Sequence, residues 1–197
     1  MNFAPDNFYH IFNQGNNRQA IFSCDEEYEI FLRLIRINIL AHSEIISWCL
    51  MPNHFHLMVY TDERVTNKQK QGGLQIDVLT NGFRKLLSGY ARIYNSRHMQ
   101  SGSLFRQKTN HKCLSDFNIK YTNNLQDYYF NCFHYIHQNP FVAVLVKRME
   151  DWKYSSFRDY AGLRNGTLCN KWLATRFCSY DRDTFIETSY KIITDFE

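Results

Sequence analysis

The chain has 197 residues, 44% of them apolar and 21% charged. That composition can build one packed domain and argues against wholesale disorder. No stretch approaches the roughly 20 apolar residues of a membrane span. The first ten residues also lack the basic start and apolar stretch of a secretory signal, so a cytoplasmic location is expected. Six cysteines, at 24, 49, 113, 132, 169 and 178, form no C-x-x-C pair and match no zinc framework. Reduced thiols packed as small hydrophobes are expected.

The net charge of +4 is unevenly spread. Between Asp77 and Asp116 there is no acidic residue, yet Arg84, Lys85, Arg92, Arg97, Arg106, Lys108 and Lys112 all fall there. Such a section suits an anionic partner, of which nucleic acid is the commonest, or a solvated basic helix face. Aromatic residues make up 16% of the chain. They suit base stacking, although a core must absorb most of them.

In chain order, residues 8–14 read as a strand ending at the turn Gly15, Asn16, Asn17. Asp25 is a plausible N-cap for a helix over 26–42, with Tyr28, Phe31, Leu32, Ile35 and Ile39 at helical spacing. Residues 44–51 and 54–60 alternate as strands around the turn Pro52-Asn53 and predict an antiparallel hairpin. Residues 61–73 are polar, end in two glycines and read as a mobile loop. A second helix is expected over 74–94, on the stripe Leu79, Phe83, Leu86, Leu87, Tyr90 and Ile93. After the break at 101–103 comes a weak strand over 104–114. A polar stretch, 116–126, leads to a third helix over 127–138, which Pro140 ends or restarts. The order predicts an α+β fold: a ferredoxin-like βαββαβ sandwich with an antiparallel sheet and two helices on one face, then a further helix and a helical tail. Residues 1–149 would form that domain, with 150–197 an extension packed on it.

Two segments carry chemistry. In MPNHFHLMV, residues 51–59, His54 and His56 sit two apart on a strand. They therefore share a face, roughly 6.5 Å apart along it. Phe55, Leu57 and Val59 take the opposite face. Two imidazoles on an otherwise apolar strand need partners, and a divalent metal satisfies both. Hydrogen bonding within a polar sheet face is the plainer alternative. In YIHQNP, residues 135–140, Tyr135 and Asn139 are four apart and share a helix face, with Gln138 near it and His137 pointing away. The pair reads either as a nucleophile beside a third metal ligand or as a buried tyrosine followed by a helix-ending Asn-Pro.

These segments resemble the single-tyrosine HUH transposases. MPNHFHLMV resembles their His-hydrophobic-His strand. YIHQNP resembles their tyrosine helix in the REP-associated tyrosine transposase branch, related to insertion-sequence transposases of this type. YHIFNQGNNRQAIF (9–22), YARIYNSRHMQSGSLFRQK (90–108) and WKYSSFRDYAG (152–162) resemble further blocks of that branch, in the same order. The similarity covers about residues 8–162.

The resemblance implies a DNA strand transferase acting on single-stranded DNA with a hairpin. Tyr135 would be the nucleophile, and His54, His56 and Asn139 would hold Mg²⁺ or Mn²⁺. Glutamine is the third ligand in the insertion-sequence members, so Gln138 competes with Asn139. Two stretches, 61–73 and 111–130, depart from the pattern in length. Asn16, Asn17 and Arg18 in the first turn, with Arg84, Lys85, Arg92 and Arg106, are candidate nucleic-acid contacts. The chain would work as a monomer or homodimer, away from membranes. The competing class is a ferredoxin-like module that grips single-stranded nucleic acid without chemistry, which needs no such trio of residues. A replication-initiation or relaxase-type nicking enzyme orders its tyrosine and histidines differently.

Charge tests the DNA surface. If Arg84 and Lys85 contact phosphates, reversing both charges weakens binding to all single strands alike and flattens its salt dependence, as read by fluorescence anisotropy over a salt series. Unaltered binding would mark a solvated helix face.

Overall fold

Strand β1, Asn7–Gln14, is the centre of the sheet. It pairs antiparallel with β3 (His54–Thr61) on one side and β6 (Asn110–Cys113) on the other, and β2 (Glu44–Met51) closes the far edge. The sheet order is β2-β3-β1-β6. With helix α1 (Asp25–Asn38) after β1 and helix α2 (Val78–Arg97) after β3, this is the ferredoxin-like arrangement. The computed structural model describes residues 1–115 and 125–191.

Alternation along the strands builds two cores. Tyr9, Ile11, Phe55, Leu57 and Val59 point to one face and pack with Phe31, Ile35, Phe83, Leu86 and Tyr90 of α1 and α2. Phe8 and Met58 point to the other face and pack under helix α3, Leu125–Val142, with Cys132, Phe133 and Ile136. Both sheet faces are thus covered. The expected pair of helices holds one face, while α3 and the C-terminal segment hold the other. Within that segment, the chain around Ser155 bonds to the free edge of β2, with Leu50 N–H donating to Tyr154 O and Ser156 N–H to Trp48 O. The pairing shields an edge that would otherwise recruit another strand. Helices α4 (Phe157–Tyr160), α5 (Lys171–Phe177) and α6 (Phe185–Ser189) complete it.

Several boundaries differ from the sequence expectations. The stretch 61–73 is not a bare loop. It contains a 3₁₀ turn (Glu63–Thr66) and strand β4 (Lys68–Gln71), which pairs with β5 (Leu74–Asp77). Gly72 and Gly73, both at positive φ, make the two-residue turn. The second helix therefore starts at Val78 rather than at 74, capped by the Asp77 carboxylate accepting from Thr80 N–H. Asp25 is the first residue of α1, not its cap; its carboxylate bonds Lys153 and Tyr154 instead. The weak strand over 104–114 splits in two. Residues 104–106 pair with the turn end of β1, and β6 pairs with its middle. Pro140 neither ends nor restarts α3, which continues to Val142 with one backbone donor missing. Most of the polar approach to it, 116–124, lies outside the described residues.

Helices α1 and α2 meet at Gly82, where an added Cβ would stand 2.2 Å from the Asn38 carbonyl oxygen. Gly82→Ala must push the helices apart and is expected to cost about 1–3 kcal/mol. A urea unfolding curve with an unchanged midpoint would contradict this close contact.

Candidate active site

The second sheet face is apolar near Met58 and turns polar toward the β2–β3 turn. There β1, β3, α3 and the segment after α2 enclose a half-open cleft of about 370 Å³. His54 and His56 of β3, Tyr135 and Asn139 of α3, and Arg106 all line it, with Phe12, Asn13, Gln14 and Asn110.

The strand register explains the histidines. Phe12 lies opposite His56 and Gln14 opposite His54, so both imidazoles rise from the face that carries Phe8, His10 and Phe12. Their rings stand 5.0 Å apart at 86°. His54 Nδ1 is 2.6 Å from Asn53 Oδ1 in the turn. His56 is 3% exposed, and its Nδ1 is 2.9 Å from His10 Nε2. Its Nε2 is buried without a hydrogen-bond partner. Burial first, then His10 and His54, holds the His56 pKa well below the usual imidazole range. Burial, then Lys112, lowers that of His10 to about 3. Both rings are therefore neutral near pH 7, the state in which imidazole ligates metals.

Helix α3 supplies the opposite wall. The Tyr135 ring stands 5.7 Å from His56, nearly perpendicular, and 5.9 Å from His10. One turn on, Asn139 Nδ2 donates to the Tyr135 carbonyl at 2.8 Å. With the amide so assigned, Oδ1 is the atom left to face a ligand. Gln138 points elsewhere. It is 1% exposed, and its Nε2 donates to the carbonyls of Ser189 and Lys191, tying α3 to the end of the described chain. His137 also faces away, with Nε2 2.7 Å from Ser156 Oγ. Tyr128 is buried, and its ring lies under Lys112 rather than in the cleft.

Among the described residues no cluster of three or more His, Cys, Asp or Glu side chains could hold a metal ion. The donor set at this cleft is different: two imidazoles and a carboxamide. The orphaned Nε2 of His56 and the remaining Asn139 oxygen suit a divalent ion that also takes oxygen ligands.

The other predicted contacts divide in two. Arg106 is exposed at the cleft, held by its N–H to Gln14 O. Asn16 and Arg18 lie in the adjoining turn, where Asn16 is partly spent on structure, donating to Ser103 O at 2.6 Å. Arg84, Lys85 and Arg92 lie on the outer side of α2, across the sheet from the cleft. Arg97 belongs to the same basic run but is paired with Glu26. Sequence reasoning missed His10. Its only signal was its place on β1 between Phe8 and Phe12, and the pairing that brings it to His56 is a long-range fact.

No protein-family model and no curated protein matches the chain at a significant level. Among solved structures, the chain is similar to a REP-associated tyrosine transposase bound to a REP hairpin, at 17% identity and a TM-score of 0.56. The match covers 86% of this chain and 92% of that one. This chain has the fold of a REP-associated tyrosine transposase. The likeness is one of fold. No helix among the described residues is long and apolar enough to cross a membrane.

The buried imidazoles predict an acid limb in stability. His134, with its pKa lowered to about 4, and His137, held well below its usual range, join His10 and His56; burial is the largest cause for each. An unfolded histidine takes up its proton near 6.5, so below that pH the unfolded chain binds more protons than the folded one. Stability should be full above about pH 7 and fall toward pH 4, by up to about 1.4 kcal/mol per pH unit for each imidazole. Urea unfolding at a series of pH values measures it, and a flat profile would contradict neutral burial.

Proposed function

We propose that this chain is a metal-dependent tyrosine transposase that cleaves and rejoins single-stranded DNA. The carrying observation is the convergence of His54, His56, Tyr135, Asn139 and Arg106 on one cleft. A binding module has no need to bring a phenol, two neutral imidazoles and a carboxamide together. The REP hairpin bound by the similar transposase supports a hairpin-bearing DNA as the substrate class.

A divalent ion, Mg²⁺ or Mn²⁺, held by His54, His56 and Asn139, would polarise the scissile phosphate and favour departure of the 3′-oxygen. The Tyr135 hydroxyl oxygen attacks phosphorus, forming a phosphotyrosine with the 5′ end as the bond to the 3′-oxygen breaks. A phenol attacking phosphorus must lose its proton during attack. Among the described residues no carboxylate lines the cleft, and in the balanced step the departing 3′-oxygen ends as a hydroxyl, which matches the proton the phenol loses. Attack by a 3′-hydroxyl on the phosphotyrosine reverses these bonds and rejoins DNA without an external energy source. Tyr135 faces His56 of its own chain, so one subunit holds a complete set.

Arg106 at the cleft is positioned to neutralise the phosphate, with Asn16 and Arg18 following the strand along the rim. Arg84, Lys85 and Arg92 would touch DNA only if it passed around a sheet edge to the outer side of α2.

Tyr135→Phe removes the hydroxyl alone. It is expected to leave DNA binding within a few fold while abolishing the covalent protein–DNA adduct, scored with labelled single-stranded hairpin DNA on a denaturing gel. Replacing His54 and His56 together by Ala should abolish ion-dependent cleavage and leave the fold intact, since Phe55 and Leu57 keep the core face. An adduct that survives Tyr135→Phe would move the chemistry to another tyrosine, and undiminished cleavage by the double variant would remove the metal.

A further inference from the structure

Resting on that reading, we propose that His10 is a positioning residue that sets the tautomer of His56 and so aims its Nε2 lone pair at the metal. His10 stands opposite Met58 on β3, two register positions from the Phe12–His56 pair and on the same sheet face. Diagonal neighbours of this kind are within reach of long side chains. Here the contact is direct: His10 Nε2 lies 2.9 Å from His56 Nδ1, the rings are close to parallel at 19°, and each residue is 3% exposed.

Two neutral imidazoles share this bond in one of two ways. If His10 donates, His56 carries its proton on Nε2. That places an N–H donor where the structure offers no acceptor, the costlier kind of buried orphan. If His56 donates from Nδ1, its Nε2 carries a lone pair instead, which a cation satisfies. The second arrangement gives a usable ligand, and His10 is the acceptor that stabilises it. Metal-bound histidines commonly rely on such an outer partner for tautomer and ring orientation. Packing reinforces the geometry, because the Phe12 ring lies 4.9 Å from His10 and 5.7 Å from His56, and the Tyr135 ring closes over both.

The test measures Mn²⁺ binding to the full chain without DNA, by titration calorimetry or by the electron paramagnetic resonance of free Mn²⁺. The proteins are the parent, His56→Ala, His10→Phe and His10→Gln. Phenylalanine keeps a ring but offers no acceptor, whereas glutamine can turn its carbonyl oxygen to His56. His10→Phe is expected to weaken Mn²⁺ binding by about 10–100-fold, and His10→Gln to restore most of it. Loss of chain packing alone would not be rescued by the carboxamide. Full-strength binding by folded His10→Phe overturns the role of His10 and leaves the metal site standing. A parent protein with no Mn²⁺ site that His56→Ala removes overturns the metal reading itself, and this inference with it. Long-range ¹H–¹⁵N spectra of the histidine-labelled parent need no variant. They should show His56 protonated on Nδ1, and protonation on Nε2 overturns the proposal.

Discussion

The register between β1 and β3 is the constraint on which the site depends. With Phe12 opposite His56 and Gln14 opposite His54, every even-numbered residue of both strands faces α3. A slip of one residue in either strand would turn its side chains to the opposite face. It would bury imidazoles beneath α1 and α2 and expose Ile11, or Phe55 and Leu57, on the other side. The cores on the two faces make that slip prohibitive, because β3 alone places three fully buried apolar side chains, Phe55, Leu57 and Val59, against the helices. Hydrophobic burial on one face thus holds polar chemistry in place on the other.

The second constraint is the seat of α3. Its buried side, with Cys132, Phe133 and Ile136, packs on the sheet and the C-terminal segment, and this leaves Tyr135 and Asn139 looking into the cleft. The segment after residue 149 takes part directly. It pairs with the edge of β2, packs Phe157, Tyr160 and Phe185 under α3, and receives hydrogen bonds from Gln138 at Ser189 and Lys191. His134 adds a contact to Ser189 Oγ at 2.9 Å. The tail therefore fixes the helix that carries the proposed nucleophile, although no tail residue lines the cleft among those described.

Charge is divided in a way the linear sequence hides. The basic section between Asp77 and Asp116 is continuous along the chain but not in space. Arg106 reaches the cleft, Arg84, Lys85 and Arg92 face outward from α2, and Arg97 is held by Glu26 beside the buried carboxylate of Glu27. An ion pair of this kind removes a base from the surface available to phosphate. A run of like charge in a sequence is thus a poor map of a binding surface when it crosses from a helix to a strand.

The sequence by itself determined the order of the sheet strands and helices, the face of β3 that carries the two histidines, and the shared helix face of Tyr135 and Asn139. All of these follow from periods of 2 and 3.6 residues, which are local properties of the backbone. Similarity in five blocks added the family resemblance. Tertiary structure alone decided the rest. The β4–β5 hairpin escaped because alternation in Lys68–Gln71 and Leu74–Asp77 is weakly apolar, and its pairing depends on the Gly72–Gly73 turn. Pro140 stays inside α3 because packing around the helix outweighs one lost hydrogen bond. Gln138 and Asn139 are adjacent, and no local rule separates them; contact with the tail carbonyls takes one and leaves the other in the cleft. His10 is 46 residues from His56 along the chain, and only the pairing of β1 with β3 brings their nitrogens together.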